Sequence, residues 1–396
     1  MEMPVEMSSI LGTGHAANSS RNNKVEYLGE GGIMEFEQEH RGKRVINCLA
    51  DEDQQAQSCA FLAFDDYQND NGGLLGEPED NFGLAFSLRD ICSYDLNVDC
   101  FDNALDEQQF AEEHVLVWAC SVMKRSSSAR SMLKEASDKG WNLTLEDREG
   151  GDYCMNVEAK LLILDNGGLS GNALARSEYF LNRLLITLSK ALRDVWQEKR
   201  FGGFDEDYGP KDVILMERVR FADLDTVSVL IAWELRDAGY EECWRHLVGS
   251  ESCDVAMAFA NYLERRPAAA LDLHQALLAA FKQWFCEEVR IDACDHDTLE
   301  YLDEVLASSE LVNPFGQKTP AKMNIEMLSA LPTGAAYLQG QGSEILGSPT
   351  FCDKINDLNN AHLTHIVNDI ESVTVENVSF RDPDLARKIF PENFAN

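Results

Sequence analysis

Eight histidines are the first place to look for acid–base or metal chemistry, and they are scattered at 15, 40, 114, 246, 274, 296, 362 and 365. Only His362 and His365 have a spacing that sets two imidazoles on one helical face. A zinc site takes three or four protein ligands, and the side chains of the right kind nearby are Cys352, Asp357 and Asp369. The pair reads as surface or core-edge histidines. The acidic runs at 204–207 and 295–304 read as solvated faces rather than paired catalytic carboxylates. The chain contains no His-Glu-x-x-His, no Gly-rich phosphate loop ending in Gly-Lys-Ser/Thr, and no Gly-x-Ser-x-Gly elbow. Its 11 cysteines are odd in number and never spaced Cys-x-x-Cys. That favours idle thiols in a reducing compartment over a disulfide framework or a structural zinc module.

The elements that would position such groups are mostly helical. The spacing predicts helices over Glu113–Lys124 and Ala129–Lys139, the second ending at Gly140. Trp141–Leu145 and Val157–Leu164 read as strands, the latter closed by the turn Asp165-Asn166-Gly167-Gly168. A long helix is predicted from Ala173 to about Arg200. Leu174, Leu181, Leu184, Leu185, Leu188, Leu192 and Val195 recur on one stripe of it. A second long helix is predicted over Val213–Ala238, with shorter ones over 241–248, 253–265, 270–288, 297–307 and 351–371. The segment 313–320 (NPFGQKTP) reads as a linker and Leu331–Pro349 as loop-rich. Short strands or turns are expected at Ala60–Phe64 and Phe82–Phe86.

Charge divides the chain. It carries 34 Lys and Arg against 69 Asp and Glu, a net of −35. Residues 1–112 hold 6 basic and 23 acidic residues, a net of −17, and are rich in Asn, Gly and Gln. They read as an acidic, partly irregular N-terminal extension, followed by a folded domain over 113–312 and a C-terminal extension over 313–396. So negative a chain is poorly suited to nucleic acid or to an anionic membrane surface, so neither is expected as a partner. A basic protein or peptide partner is favoured. No signal peptide is readable and no stretch is long and apolar enough to span a membrane, so the expected location is the cytoplasm.

The stretch Asn156–Leu311 carries a run of landmarks. EAKLLILDNGG (158–168) precedes a helix ending LSKALRDVWQ (188–197), and a second helix carries ERVRFADLDTVSVLIAWELRDAG (217–239). ECWRHL (242–247) and QALLAAFKQWF (275–285) follow. In this order and spacing the chain resembles a bacterial putative metallopeptidase family of unknown function with zincin-like architecture. The resemblance implies a mainly helical α+β fold, in which a small sheet packs on a long active-site helix. In that family the first helix reads His-Glu-Leu-Arg-His and the second offers Glu-Ala-Asp.

Here the chemical positions differ. The two His positions fall on Lys190 and Asp194, the Glu position on Ala191, and the third-ligand position on Phe221. Zinc hydrolysis needs two neutral imidazoles a turn apart, a further ligand, and a base for the metal-bound water. An amine, a methyl and a benzyl group supply none of these. Lys190 and Asp194 are expected to form an i, i+4 ion pair worth about 0.2–0.5 kcal/mol. No catalytic residue and no cofactor is therefore expected, although zinc belongs to the family. The weak candidates for a metal are Asp194, Asp223, His362 and His365. Arg193 and Trp196, which match the family pattern, are expected to brace the helix, and Trp233, Glu234 and Arg236 to form a packing and ion-pair cluster. Trp244, Trp284 and Phe285 are expected in the core.

Three functions are compatible with this reading. The first is a non-catalytic, pseudo-enzyme form of the scaffold that binds protein or peptide, with the 157–164 strand at a sheet edge as a docking site, or that plays a structural role. The second is a hydrolase with a rebuilt metal site combining Asp194, Asp223, His362 and His365. The third is an acidic interaction module acting through residues 1–112.

Overall fold

A helix needs a start, an apolar stripe and a stop, and residues 177–202 supply all three. Ser177 accepts from the Phe180 amide at 3.4 Å, Glu178 lies in the first turn, and Lys199 and Arg200 in the last. These charges complement the helix dipole. Gly202 ends the helix with φ of 63°, a left-handed conformation that favours glycine. Between them Leu184, Leu185, Leu188 and Leu192 are buried, each contributing about 1.5–3 kcal/mol relative to exposure. The computed structural model thus breaks the helix expected over 173–200 into two. Leu174 lies on a separate short helix, and the N-cap at Ser177 starts the long one.

The structure describes residues 43–45, 85–94, 108–148, 152–265, 273–309, 311, 313–352, 355–370, 373–375, 378–380 and 387–391. The strand expected at Ala60–Phe64, most of Phe82–Phe86 and most of the acidic extension lie outside them. In chain order the elements begin with β1 (Lys43–Val45), β2 (Phe86–Ser87), α1 (Leu88–Ser93), α2 (Gln108–Met123) and α3 (Ser127–Asp138). Three strands follow, β3 (Asn142–Glu146), β4 (Tyr153–Asn156) and β5 (Leu161–Asp165). The helices α4 (Gly171–Ala175), α5 (Glu178–Phe201), α6 (Pro210–Asp237), α7 (Glu241–Val248) and α8 (Cys253–Arg265) come next. Then come α9 (Leu273–Trp284), α10 (Glu288–Ser308), α11 (Lys322–Leu328), α12 (Gly342–Gly347), α13 (Pro349–Cys352) and α14 (Asp357–Ile370). A hairpin of β6 (Val373–Val375) and β7 (Val378–Phe380) completes the set. The fold is mainly helical α+β.

The small sheet is mixed, in the order β1-β4-β5-β3-β2, with β5 parallel to β3 and antiparallel to β4. One strand was expected over 157–164. Instead, residues 157–160 form the turn of the β4–β5 hairpin, where the Asn156 side chain accepts from the Ala159 amide at 2.9 Å and Lys160 adopts φ of 51°. Strand β5 is therefore central, hydrogen-bonded on both sides, and cannot serve as the edge strand expected to dock a peptide.

Helix α5 packs on β4, β5 and α6. Helix α6 opens with Pro210 at its first turn and is buried along nearly all of its length. Segments beyond 312 join the same core through Phe315, Ile325, Leu328, Tyr337, Leu338 and Phe351. The stretch expected as a linker is fixed in place. Gly316 donates to Asp205 O at 2.9 Å, and a Cβ there would lie 2.2 Å from the Asp207 backbone. Among the described residues no helix is long and apolar enough to cross a membrane.

Helices α8 and α10 are joined by Asp254 and Arg290, whose Nη2 lies 2.7 Å from Asp254 Oδ1, with further donation to Glu251 O and Trp284 O. The bonds from Arg290 outweigh partial burial and hold the Asp254 carboxyl below its ordinary value. A lowered carboxyl stabilises the fold above its unfolded value near 3.8, and this contribution disappears as pH falls through the folded value. Asp254→Asn should thus cost about 1 kcal/mol at pH 7. In urea melts across pH, the gap to wild type should close below the unfolded value.

Candidate functional site

Of the site positions named from the sequence, Lys190, Ala191, Asp194, Phe221 and Asp223 lie on α5 and α6 where the two helices pack, and His362 and His365 lie apart on α14. Lys190 and Asp194 lie one turn apart on α5, but they do not pair as expected. Lys190 Nζ reaches across to α6, 3.0 Å from Asp225 Oδ1, and stands 3.8 Å from Asp152 Oδ2 at the start of β4. Asp225 Oδ2 also accepts from the Trp284 indole at 2.8 Å. The lysine side chain is 12% exposed and that of Asp225 6%, so the ammonium is held in a nearly dry carboxylate cradle. Such a pair is worth more than an exposed intrahelical one, which explains why the side chain turns away from Asp194. Lys190→Met should cost about 1–3 kcal/mol, because Asp225 keeps its charge and loses its cationic neighbour. Thermal melts of Lys190→Met and Lys190→Arg check this, and only the Arg variant should keep part of the stability.

Ala191 is fully buried against the core and offers no heteroatom. Asp194 is buried on the sheet side, where its Oδ2 accepts from Tyr153 Oη at 3.1 Å. Its Oδ1 lies 3.9 Å from Arg220 Nε. Arg220 also has Glu217 at 3.5 Å and Glu198 at 3.6 Å, and its guanidinium lies 4.5 Å from the centre of the Phe204 ring. Its Nη2 donates to Gly202 O at 3.0 Å. Phe221 is half-buried and packed on the core.

Asp223, on α6, is fully buried and accepts from three side chains. Its Oδ2 accepts from Arg193 Nε at 2.6 Å and Gln197 Nε2 at 2.7 Å. Its Oδ1 accepts from Tyr337 Oη at 2.7 Å and Arg193 Nη2 at 3.2 Å. Complete burial lifts the carboxyl above its ordinary value against the pull of Arg193, and it lifts the Tyr337 phenol well up too. The remaining donors of Arg193 hold Ala330 O at 2.8 Å and Leu328 O at 2.9 Å. Arg193 therefore braces α5, α6 and the segment after α11 at one point. Trp196 carries the stacked guanidinium of Arg200, 3.4 Å from its ring centre.

His362 and His365 lie on α14, and each faces a carboxylate of its own. His362 Nε2 is 2.5 Å from Asp303 on α10, and His365 Nδ1 is 3.1 Å from Asp369 one turn on. Asp194 and Asp223 bond separate sets of donors, and His362 and His365 face other carboxylates. Among the described residues no three His, Cys, Asp or Glu side chains gather as a group that could hold a metal ion.

The donor set at the α5–α6 crossing does not fit zinc. Of the four positions that the resemblance assigns to ligands and base, only Asp194 carries an oxygen donor, and an ammonium occupies the first. A catalytic zinc takes three protein ligands, and these four positions do not supply them. Sequence reasoning missed Asp225, Asp152, Tyr153 and Tyr337. The signal was present in α6, where Glu217, Arg218, Arg220, Asp223 and Asp225 interrupt a helix apolar on most faces. Charges there must be paired across the core.

In the cluster expected at Trp233, Glu234 and Arg236, the carboxylate takes serine donors and Arg236 pairs with Asp237 at 3.4 Å. Glu234 accepts from Ser126 Oγ at 2.5 Å, Ser127 Oγ at 2.9 Å, and Ser128 N and Oγ at 3.0 Å, binding α6 to the start of α3. The Arg236 guanidinium lies 3.4 Å from the centre of the Trp233 ring. Trp284 and Phe285 are fully buried, and Trp244 is half-buried against Trp233.

Residues 97–339, more than half of the chain, match a family model whose description is "putative metallopeptidase family". No curated protein and no solved structure matches the chain.

Proposed function

We propose that this chain, which belongs to that putative metallopeptidase family, keeps the scaffold for binding or structural work and is not itself a peptidase. The observation that carries this reading is the Lys190 ammonium, held by Asp225 and Asp152 where the family's first imidazole would stand. A fixed positive charge beside a prospective dication opposes its binding. Ala191, in the base position, has no atom that can take a proton from water. The retained Arg193–Asp223 brace supports a scaffold kept for its shape. The net charge of −35 favours a basic protein or peptide as partner. The eight described cysteines are free thiols, in keeping with a reducing compartment such as the cytoplasm.

The full-length protein, incubated with mixed peptides and added zinc, should release no new termini above background. Cleavage by wild type that is lost in Asp194→Asn would overturn the reading, since that variant preserves size and the bond from Tyr153.

A further inference from the structure

We propose that a cavity between α3, the β4–β5 turn and α5 binds a small apolar carboxylic acid. The hydrocarbon body lies inside, and the carboxylate takes the Trp196 indole N–H, with Lys139 and Lys160 supplying the countercharge. The cavity measures about 210 Å³. Its apolar walls are Met132 and Ala136 of α3, Trp141 before β3, Val157 of the turn, and Val195 and Trp196 of α5. Apolar cavities of about 150 Å³ take up benzene, so a benzene-sized body with a short acid arm fits here. A mostly apolar hollow with a few polar groups is the usual form of a small-molecule site.

Two features of these walls select an acid. The first is a donor without an acceptor: Trp196 Nε1 is buried and has no hydrogen-bond partner among the described residues. The ring is held by Arg200, whose guanidinium lies 3.4 Å from its centre and donates to Trp196 O at 2.7 Å. A buried N–H left unmet is costly, and a ligand oxygen beside it removes that cost. The second feature is charge. Glu135 and Glu198 line the cavity together with Lys139, Lys160 and Lys199. Both carboxylates are committed to cations of the protein, Glu135 to Lys199 and to Arg200 at 3.2 Å, and Glu198 to Arg220 at 3.6 Å. Lys139 and Lys160 are exposed and form no ion pair among the described residues. Lys160 Nζ donates to Lys139 O at 3.1 Å, which leaves its other N–H groups for a ligand. The cavity thus keeps two uncompensated ammonium groups in a chain whose net charge is −35. They attract a carboxylate, repel an amine and gain nothing from a neutral molecule.

Isothermal titration calorimetry of the full-length protein with 3-phenylpropionate, its primary amide and 3-phenylpropylamine tests this, since the three share one body and differ in charge. The acid should bind at a single site, the amide severalfold more weakly, and the amine not at all. Added salt should weaken the acid and leave the amide unchanged. Trp196→Phe keeps a ring and loses the N–H, and should weaken the acid about tenfold or more. Lys139→Gln combined with Lys160→Gln should bring the acid down to the level of the amide. Circular dichroism confirms that each variant is folded, and the exposed lysine pair keeps the test valid if Trp196→Phe is not. No uptake of the acid at millimolar concentration would overturn the proposal. So would equal or tighter binding of the amide or the amine, or acid binding unchanged in the folded variants.

Discussion

Arg193→Met lowers the stability of the protein by about 3–5 kcal/mol, the cost of removing one partner from a buried ion pair. Neither side chain of the Arg193–Asp223 pair is exposed, so no water replaces the lost guanidinium. Asp223 keeps bonds from Gln197 and Tyr337, but Leu328 O and Ala330 O each lose a donor. The effect should therefore spread to the segment after α11, visible as faster amide exchange there. Equilibrium denaturation of Arg193→Met, Asp223→Leu and the double variant measures the pair. The double variant should be more stable than the sum of the singles implies, because an apolar pair avoids a stranded charge. A single-variant cost below about 1 kcal/mol would show that Arg193 is not the brace described.

Asp295→Ala has the second large effect, again about 3–5 kcal/mol. Arg218 meets Asp295 with two bonds of 2.5 Å and donates a third, at 2.9 Å, to Phe351 O. Burial lifts the Asp295 carboxyl while Arg218 pulls against it, and the carboxylate in turn raises the guanidinium. Loss of the carboxylate leaves a buried cation and frees Arg218 from its fixed orientation, so α13 should loosen as α6 and α10 separate. Limited proteolysis should then cut near 349–352 before elsewhere, and a cleavage pattern like that of wild type would contradict this role.

The fold was legible where periodicity alone decides the outcome. The leucine stripe of α5 and the extents of α6, α7 and α8 follow from spacing and caps. Two boundaries were missed in the sequence. Ser177 caps a helix between Leu174 and Leu181, which share one spacing pattern, and Asn156, just before the segment read as one strand, turns a hairpin through its first four residues. Both depend on a single side chain bonding its own backbone, a signal easily outweighed by the surrounding hydrophobicity. The site was legible as a set of positions but not as a set of partners. Lys190 could be read against Asp194 one turn away, yet the burial that makes Asp225 the stronger partner depends on how α5 crosses α6. The i, i+3 spacing of His362 and His365 likewise said nothing of Asp303, which comes from another helix.

On the proposed reading, the Lys190 ammonium closes the α5–α6 crossing to a metal. Elemental analysis of the full-length protein, purified without chelator and then equilibrated with excess zinc and desalted, is the most direct test. The prediction is zinc far below one equivalent per chain and a melting temperature unmoved by chelator. One tightly held zinc per chain, with melting lowered on its removal, would contradict it.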